Sequence, residues 1–139
     1  MQFPRSDFCR AKIRAARTGT DGAATIEAVI WLPAFFAIFA LITDTSTIFG
    51  RESQVLRFVQ DANRNLSTGY FATAAEARTD IIARIGRISP HAVVTTQVVG
   101  NVITTSVAMP LTDLTSTGLV AAFSSGSVTV SANHVKEEE

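Results

Sequence analysis

The sequence predicts an α+β fold: a long N-terminal helix, a second helix and a small antiparallel sheet. Three observations carry that expectation. An uncharged apolar run, 28–43, leads into an amphipathic stripe that reaches Leu66. A second helical stretch follows Thr73. Two runs rich in Val, Ile and Thr then flank Gly100-Asn101, a pair suited to a two-residue hairpin turn.

Ahead of the first helix lies a basic stub. Residues 1–22 hold Arg5, Arg10, Lys12, Arg14 and Arg17 against Asp7 and Asp21, a net +3, and the rest of this formally neutral chain carries the balancing −3. Lys and Arg accumulate on cytoplasmic flanks of membrane spans, so the N-terminus is expected in the cytoplasm and everything after the span outside it. No folded basic domain or basic–aromatic interleaving accompanies the stub, which argues against nucleic acid as a partner.

Residues 28–43 (AVIWLPAFFAIFALIT) contain no charge. As a helix they rise about 24 Å, short of a hydrocarbon core of about 30 Å. Extending the helix from Ala23 to Phe49 gives ample length, with Glu27 and Asp44 near opposite interfaces and the transmembrane segment at about 27–49. A buried core helix is a poorer reading, because apolar side chains occur on every face. A secretory signal is also poorer, because no convincing small-x-small site follows the run. Pro33 removes one backbone donor from this helix and frees the carbonyl of Val29. That costs about 3 kcal/mol in water and is tolerated in membranes where neighbours satisfy the freed group. Pro33 is accordingly the expected kink.

Glu27 is the sole charge between Asp21 and Asp44. A carboxylate at the mouth of a spanning helix is costly and asks for a function. The stretch Asp21-Gly22-Ala23-Ala24-Thr25-Ile26-Glu27-Ala28, the apolar run with Pro33, the acidic Asp44 and Phe49-Gly50-Arg51 together resemble the TadE-like pilus-assembly family, the minor pilin-like (pseudopilin) proteins of tight-adherence, Flp-type IV pili. These features cover about a third of the chain. The resemblance implies a pilin-like architecture and processing by a prepilin peptidase between Gly22 and Ala23, on the cytoplasmic side. Glu27 then becomes the fifth mature residue, one helical turn from the new amine of Ala23. Pairing the two lowers the cost of holding each in lipid, within one chain or between stacked subunits. Implied partners are the peptidase, other pilin-like subunits, the inner-membrane pilus machinery and membrane lipid. Polar Thr25, and Thr43, Thr45, Ser46 and Thr47 around Asp44, depart from the commonest family pattern and blur the end of the span.

The resulting division is a cleaved leader, 1–22, a long helix, 23–66, and a small periplasmic α+β domain, 67–139, on a protein held by a single pass in the bacterial inner membrane. Beyond the lipid, Ile48, Val55, Val59, Ala62 and Leu66 share one helix face, with Arg57 and Asp61 offered as an i,i+4 pair away from it. Thr73-Ala74-Ala75-Glu76 reads as a capping box opening a helix over 74–86, whose apolar face is Ala77, Ile81, Ile82, Ile85 and Ile88. Strands are expected at 92–99, 102–109 and 127–132. Pro110 stops the second strand, and 111–123 reads as either loop or a short helix near its end. The acidic close, Glu137-Glu138-Glu139, reads as a solvated tail.

Chemistry is not expected. Cys9 is the single cysteine and lies in the leader, and His91 and His134 stand apart from other ligand types, so no metal and no cofactor is expected. No phosphate-binding loop, nucleophile elbow or zinc-protease pair is present, and no catalytic residue is expected. Two functional classes remain open: a processed structural or assembly subunit of a pilus, and an uncleaved anchor presenting a small binding domain.

Overall fold

The computed structural model describes the backbone of residues 21–136 and the side chains of residues 25–136. The basic stub up to residue 20 and the tail Glu137–Glu139 lie outside the described residues. The chain divides into two compact units, one through Ile38 and the other from Phe39 onward.

The first helix, α1, runs Asp21–Ser67 with Pro33 inside it. Its part within the first unit exposes Ile26, Val29, Ile30, Trp31, Leu32, Phe35, Phe36 and Ile38, each by more than half. In the second unit the periodicity changes. Val55, Val59, Ala62 and Leu66 are buried, and Ile48 packs against them half-covered, as the stripe predicts.

Helix α2, Ala74–Ile85, starts at the expected cap. The Thr73 hydroxyl accepts from the Glu76 amide at 3.3 Å, while the Glu76 carboxylate accepts from the amide of Ala72 at 2.9 Å. The reciprocal arm of the box therefore reaches one residue further back than the usual pattern, and still satisfies an orphan donor. Ala77, Ile81 and Ile85 are buried and Ile88 half so, but Ile82 stays 44% exposed. Its neighbour Ile81 takes the inward position, and adjacent helical residues point about 100° apart.

Strands β1 (Val93–Val99), β2 (Val102–Pro110) and β3 (Ser127–Val135) form one antiparallel sheet in the order β1-β2-β3. The β1–β2 turn places Gly100 at φ 59° and leaves Asn101 at negative φ, the φ pattern of a type II′ turn. Pro110 closes β2 opposite Ser127. β3 runs three residues past its expected end because Asn133, His134 and Val135 find Thr104, Ile103 and Val102 as ladder partners. The segment 111–123 forms two short helices, α3 (Leu111–Leu114) and α4 (Leu119–Phe123).

One core joins these elements: Val55, Val59 and Ala62 of α1, Ile81 and Ile85 of α2, Val94, Val107, Met109 and Val130 of the sheet, and Leu114 of α3. A polar trio sits within it. Buried Asn63 donates to the Ala132 carbonyl at 3.1 Å and accepts from the Thr105 hydroxyl at 2.6 Å, and Thr105 also meets the Thr96 hydroxyl at 3.2 Å. The expected Arg57–Asp61 pair does not form. Asp61 turns to Arg84 of α2 at 3.0 Å, and Arg84 also holds Asp80 at 2.8 Å, one turn away on its own helix. The pair with Asp80, followed by that with Asp61, outweighs the desolvation of Arg84 and holds its guanidinium more firmly protonated than usual. One cation bridging two carboxylates across a helix pair displaces the weaker local pairing.

Replacing Asn63 by Ala leaves the Thr105 hydroxyl and the Ala132 carbonyl short of a partner inside the core. The expected loss is about 1–3 kcal/mol, read as a lower denaturant midpoint of the detergent-solubilised chain; an unchanged midpoint contradicts the role given to the trio.

Candidate functional site

The residues singled out from sequence fall in the first unit and at the start of the second. Gly22 and Ala23 lie in the first turn of α1; their side-chain surroundings lie outside the described residues. Glu27 follows Ala23 by one helical turn. It is exposed and shares a shallow groove with Ala28, Trp31 and Phe35. It makes no hydrogen bond or ion pair among the described residues. Around it the apolar residues of the first unit offer lipid-compatible surface on all sides. The helix from Thr25 is, among the described residues, the one that is long and apolar enough to cross a membrane.

Where the apolar run ends, polar groups are tied down one by one. Thr43, Thr45 and Thr47 each donate a hydroxyl to the carbonyl four residues back, of Phe39, Leu41 and Thr43, at 2.8, 2.7 and 2.8 Å. A hydroxyl satisfied by its own helix is cheaper to hold beside hydrocarbon than a free one. The threonines that blur the end of the span in the sequence are therefore compatible with it.

Asp44 breaks from this local pattern. Its side chain is buried and accepts three backbone N–H bonds from the far end of the chain: Oδ1 from Ser116 at 2.9 Å and Thr117 at 2.6 Å, and Oδ2 from Val120 at 3.1 Å. Ser116 adds a hydroxyl contact to Thr47 at 3.2 Å. These donors surround the start of α4, where Gly118 takes φ 76°, a left-handed conformation that glycine adopts without Cβ strain. No side chain of its own caps α4. Asp44 supplies the missing acceptor from a different helix. Burial pushes its carboxyl upward, but the amides of Thr117, Val120 and Ser116 outweigh burial and hold it at about 2.

A second carboxylate organises the other short helix. Asp113 accepts from the Ser89 hydroxyl at 2.7 Å and the His91 amide at 3.0 Å, and meets the His91 ring at 3.1 Å. Arg51 of α1 donates to the Asp113 carbonyl. Burial again opposes ionisation and is outweighed, here by Ser89 and His91, so the Asp113 carboxyl sits below its ordinary range. His91, isolated in sequence, thus gains an acidic neighbour from 22 residues away. Among the described residues, no three His, Cys, Asp or Glu side chains come together as a metal-holding group.

Sequence reasoning places Asp44 at an interface but misses its partners, which are 72 to 76 residues distant. The available signal is an isolated acid among threonines directly after an apolar run.

Residues 22–64 match the TadE-like protein family. The TadE-like segment is thus α1 almost entire, from the glycine before Ala23 to Arg64 in its last turn. It takes in Glu27, Pro33 and Asp44 and stops short of both later helices and the sheet. The match points to a component of pilus assembly with an apolar N-terminal helix. No curated protein and no solved structure matches the chain.

Because its folded carboxyl is held near 2, Asp44 contributes stability that is fully present above the unfolded value near 4 and is lost as pH falls from about 4 toward about 2. Asp44→Asn puts an amide N–H₂ against N–H donors. The variant should melt several degrees lower than the parent at neutral pH, and the gap should narrow toward pH 2. A gap that stays constant with pH contradicts the charge-assisted clamp.

Proposed function

We propose that this chain is a pseudopilin-like, single-pass subunit of a tight-adherence, Flp-type pilus, processed after Gly22 and held in the inner membrane with its sheet domain in the periplasm. The observation that carries the proposal is the coincidence, on one helix, of the TadE-like match, an exposed apolar surface and Glu27 one turn from Ala23. We place the lipid-spanning part at about Thr25–Thr43 instead of the expected 27–49, because Asp44 is engaged with the second unit; its ideal rise is about 28 Å against a core of about 30 Å. Asp44, engaged with the outer domain, marks its far rim.

Cleavage between Gly22 and Ala23 creates a cationic amine beside a carboxylate that has no ionic partner among the described residues. In lipid the pair is far cheaper than either ion alone. Formed between subunits, it sets the register of one against the next. Pro33, whose missing N–H frees the Val29 carbonyl, is the place for α1 to bend as it leaves lipid and packs among other helices. Other pilin-like subunits and the inner-membrane pilus machinery are the partners this reading requires.

Co-expression with a prepilin peptidase should yield a smaller product whose N-terminal residue is Ala23. A mature chain that begins elsewhere, or retains its arginine-bearing stub, overturns the processing step and favours an uncleaved anchor. Glu27→Ala should insert in the membrane at parental levels but lose co-purification with the other pilus components; undiminished co-purification removes Glu27 from assembly.

A further inference from the structure

We propose that α4 and its flanks form a second membrane contact: Leu119–Phe123 lies in the interfacial layer of the outer-facing lipid leaflet, beside the rim of the span, with Phe123 directed into it. The inference rests on the membrane reading above and extends it to a segment that the TadE-like match does not reach.

Three observations converge on lipid. The first is position. Phe39, Leu41 and Ile42, exposed apolar residues of the last span turn, belong to the same compact unit as α4. The next acidic residue, Asp44, bonds directly to the amides of Ser116, Thr117 and Val120. The segment is therefore fastened at the level where the hydrocarbon ends.

The second is composition. Phe123 is 85% exposed, the most of any large apolar residue in the described chain. No Asp, Glu, Lys or Arg occurs between Asp113 and Lys136. A water-facing loop ordinarily carries charge, whereas an interfacial segment gains by lacking it.

The third is backbone satisfaction. The amides of Ser116, Thr117 and Val120 are taken by Asp44, that of Leu119 by the Thr117 hydroxyl at 3.4 Å, and those of Ala122 and Ser124 by the carbonyls of Gly118 and Val120 at 3.0 and 2.9 Å. A loop with these six donors paired can approach a region poor in water with fewer bare N–H groups to desolvate. The clamp that fixes the loop thus also prepares it for lipid.

The test uses the full chain in vesicles of plain or acyl-brominated phosphatidylcholine, with tryptophan emission as the readout. Trp31 is the sole native tryptophan, and its quenching by brominated lipid checks the span itself. Phe123→Trp in a Trp31→Phe chain should lose emission in vesicles brominated near the headgroup end of the acyl chains. Val135→Trp in the same background, at the opposite end of β3 from Ser127 and 62% exposed, should not. Failure to quench Trp31 overturns the span and this inference with it. Quenched Trp31 with an unquenched Phe123→Trp chain overturns the inference alone and leaves a protein partner for α4. Quenching at both Phe123→Trp and Val135→Trp also overturns it, because contact is then not confined to α4. Ala122→Cys in a Cys9→Ser chain, labelled with a polarity-sensitive dye, gives an independent reading. Its emission should shift to the blue in vesicles, and an unshifted spectrum counts against the contact.

Discussion

The second unit turns on one carboxylate accepting three amides. Residues 111–126 leave the sheet after Pro110 and return at Ser127 with little apolar mass of their own; Leu114 is their one fully buried side chain. Short helices of four and five residues do not hold themselves. Asp44 gives this excursion an anchor, and it does so from the helix that carries the exposed apolar surface. A charge is needed for the task, because a single acceptor group must satisfy several orphan donors at once.

Asp113 works in the same manner at the other short helix, gathering the Ser89 hydroxyl and the His91 amide while Arg51 of α1 reaches its carbonyl. The connection between β2 and β3 is thus held at two points by groups distant in sequence. Within the second unit, hydrogen bonds to backbone from Asp44 and Arg51 of α1 thus supplement the apolar contacts of Val55, Val59 and Ala62. Hydrogen bonds are directional, so these fix the orientation of α3 and α4 as well as their place on α1.

Much of the architecture is legible from local pattern. The stripe of Val55, Val59, Ala62 and Leu66, the Thr73 cap and the Gly100-Asn101 turn each act within a few residues, and each reappears in the fold. The extension of β3 through Asn133 and His134 is hidden because these polar residues carry no strand signature of their own; their partners on β2 decide it. Ile82 is misplaced for a related reason, since two adjacent isoleucines cannot both face inward and periodicity alone does not choose. Arg57 is set aside because Arg84, on another helix, competes for Asp61. For the candidate site, the glycine, the carboxylate four residues after Ala23 and the apolar run are all contiguous and readable. The role of Asp44 is not, because its three donors lie 72 to 76 residues on, in the connection between β2 and β3.

The trio of Asn63, Thr105 and Ala132 has a consequence for strand alignment. The strands are rich in alternating Val and Thr, so sliding β2 along its neighbours by two residues would keep every side chain on its proper face. Such a slip would bring Ile103 or Val107 beneath Asn63 in place of Thr105, and its amide oxygen would meet only methyl groups. One amide on a helix thereby acts as a detent for a three-stranded sheet, rejecting the neighbouring alignments that hydrophobicity by itself would accept.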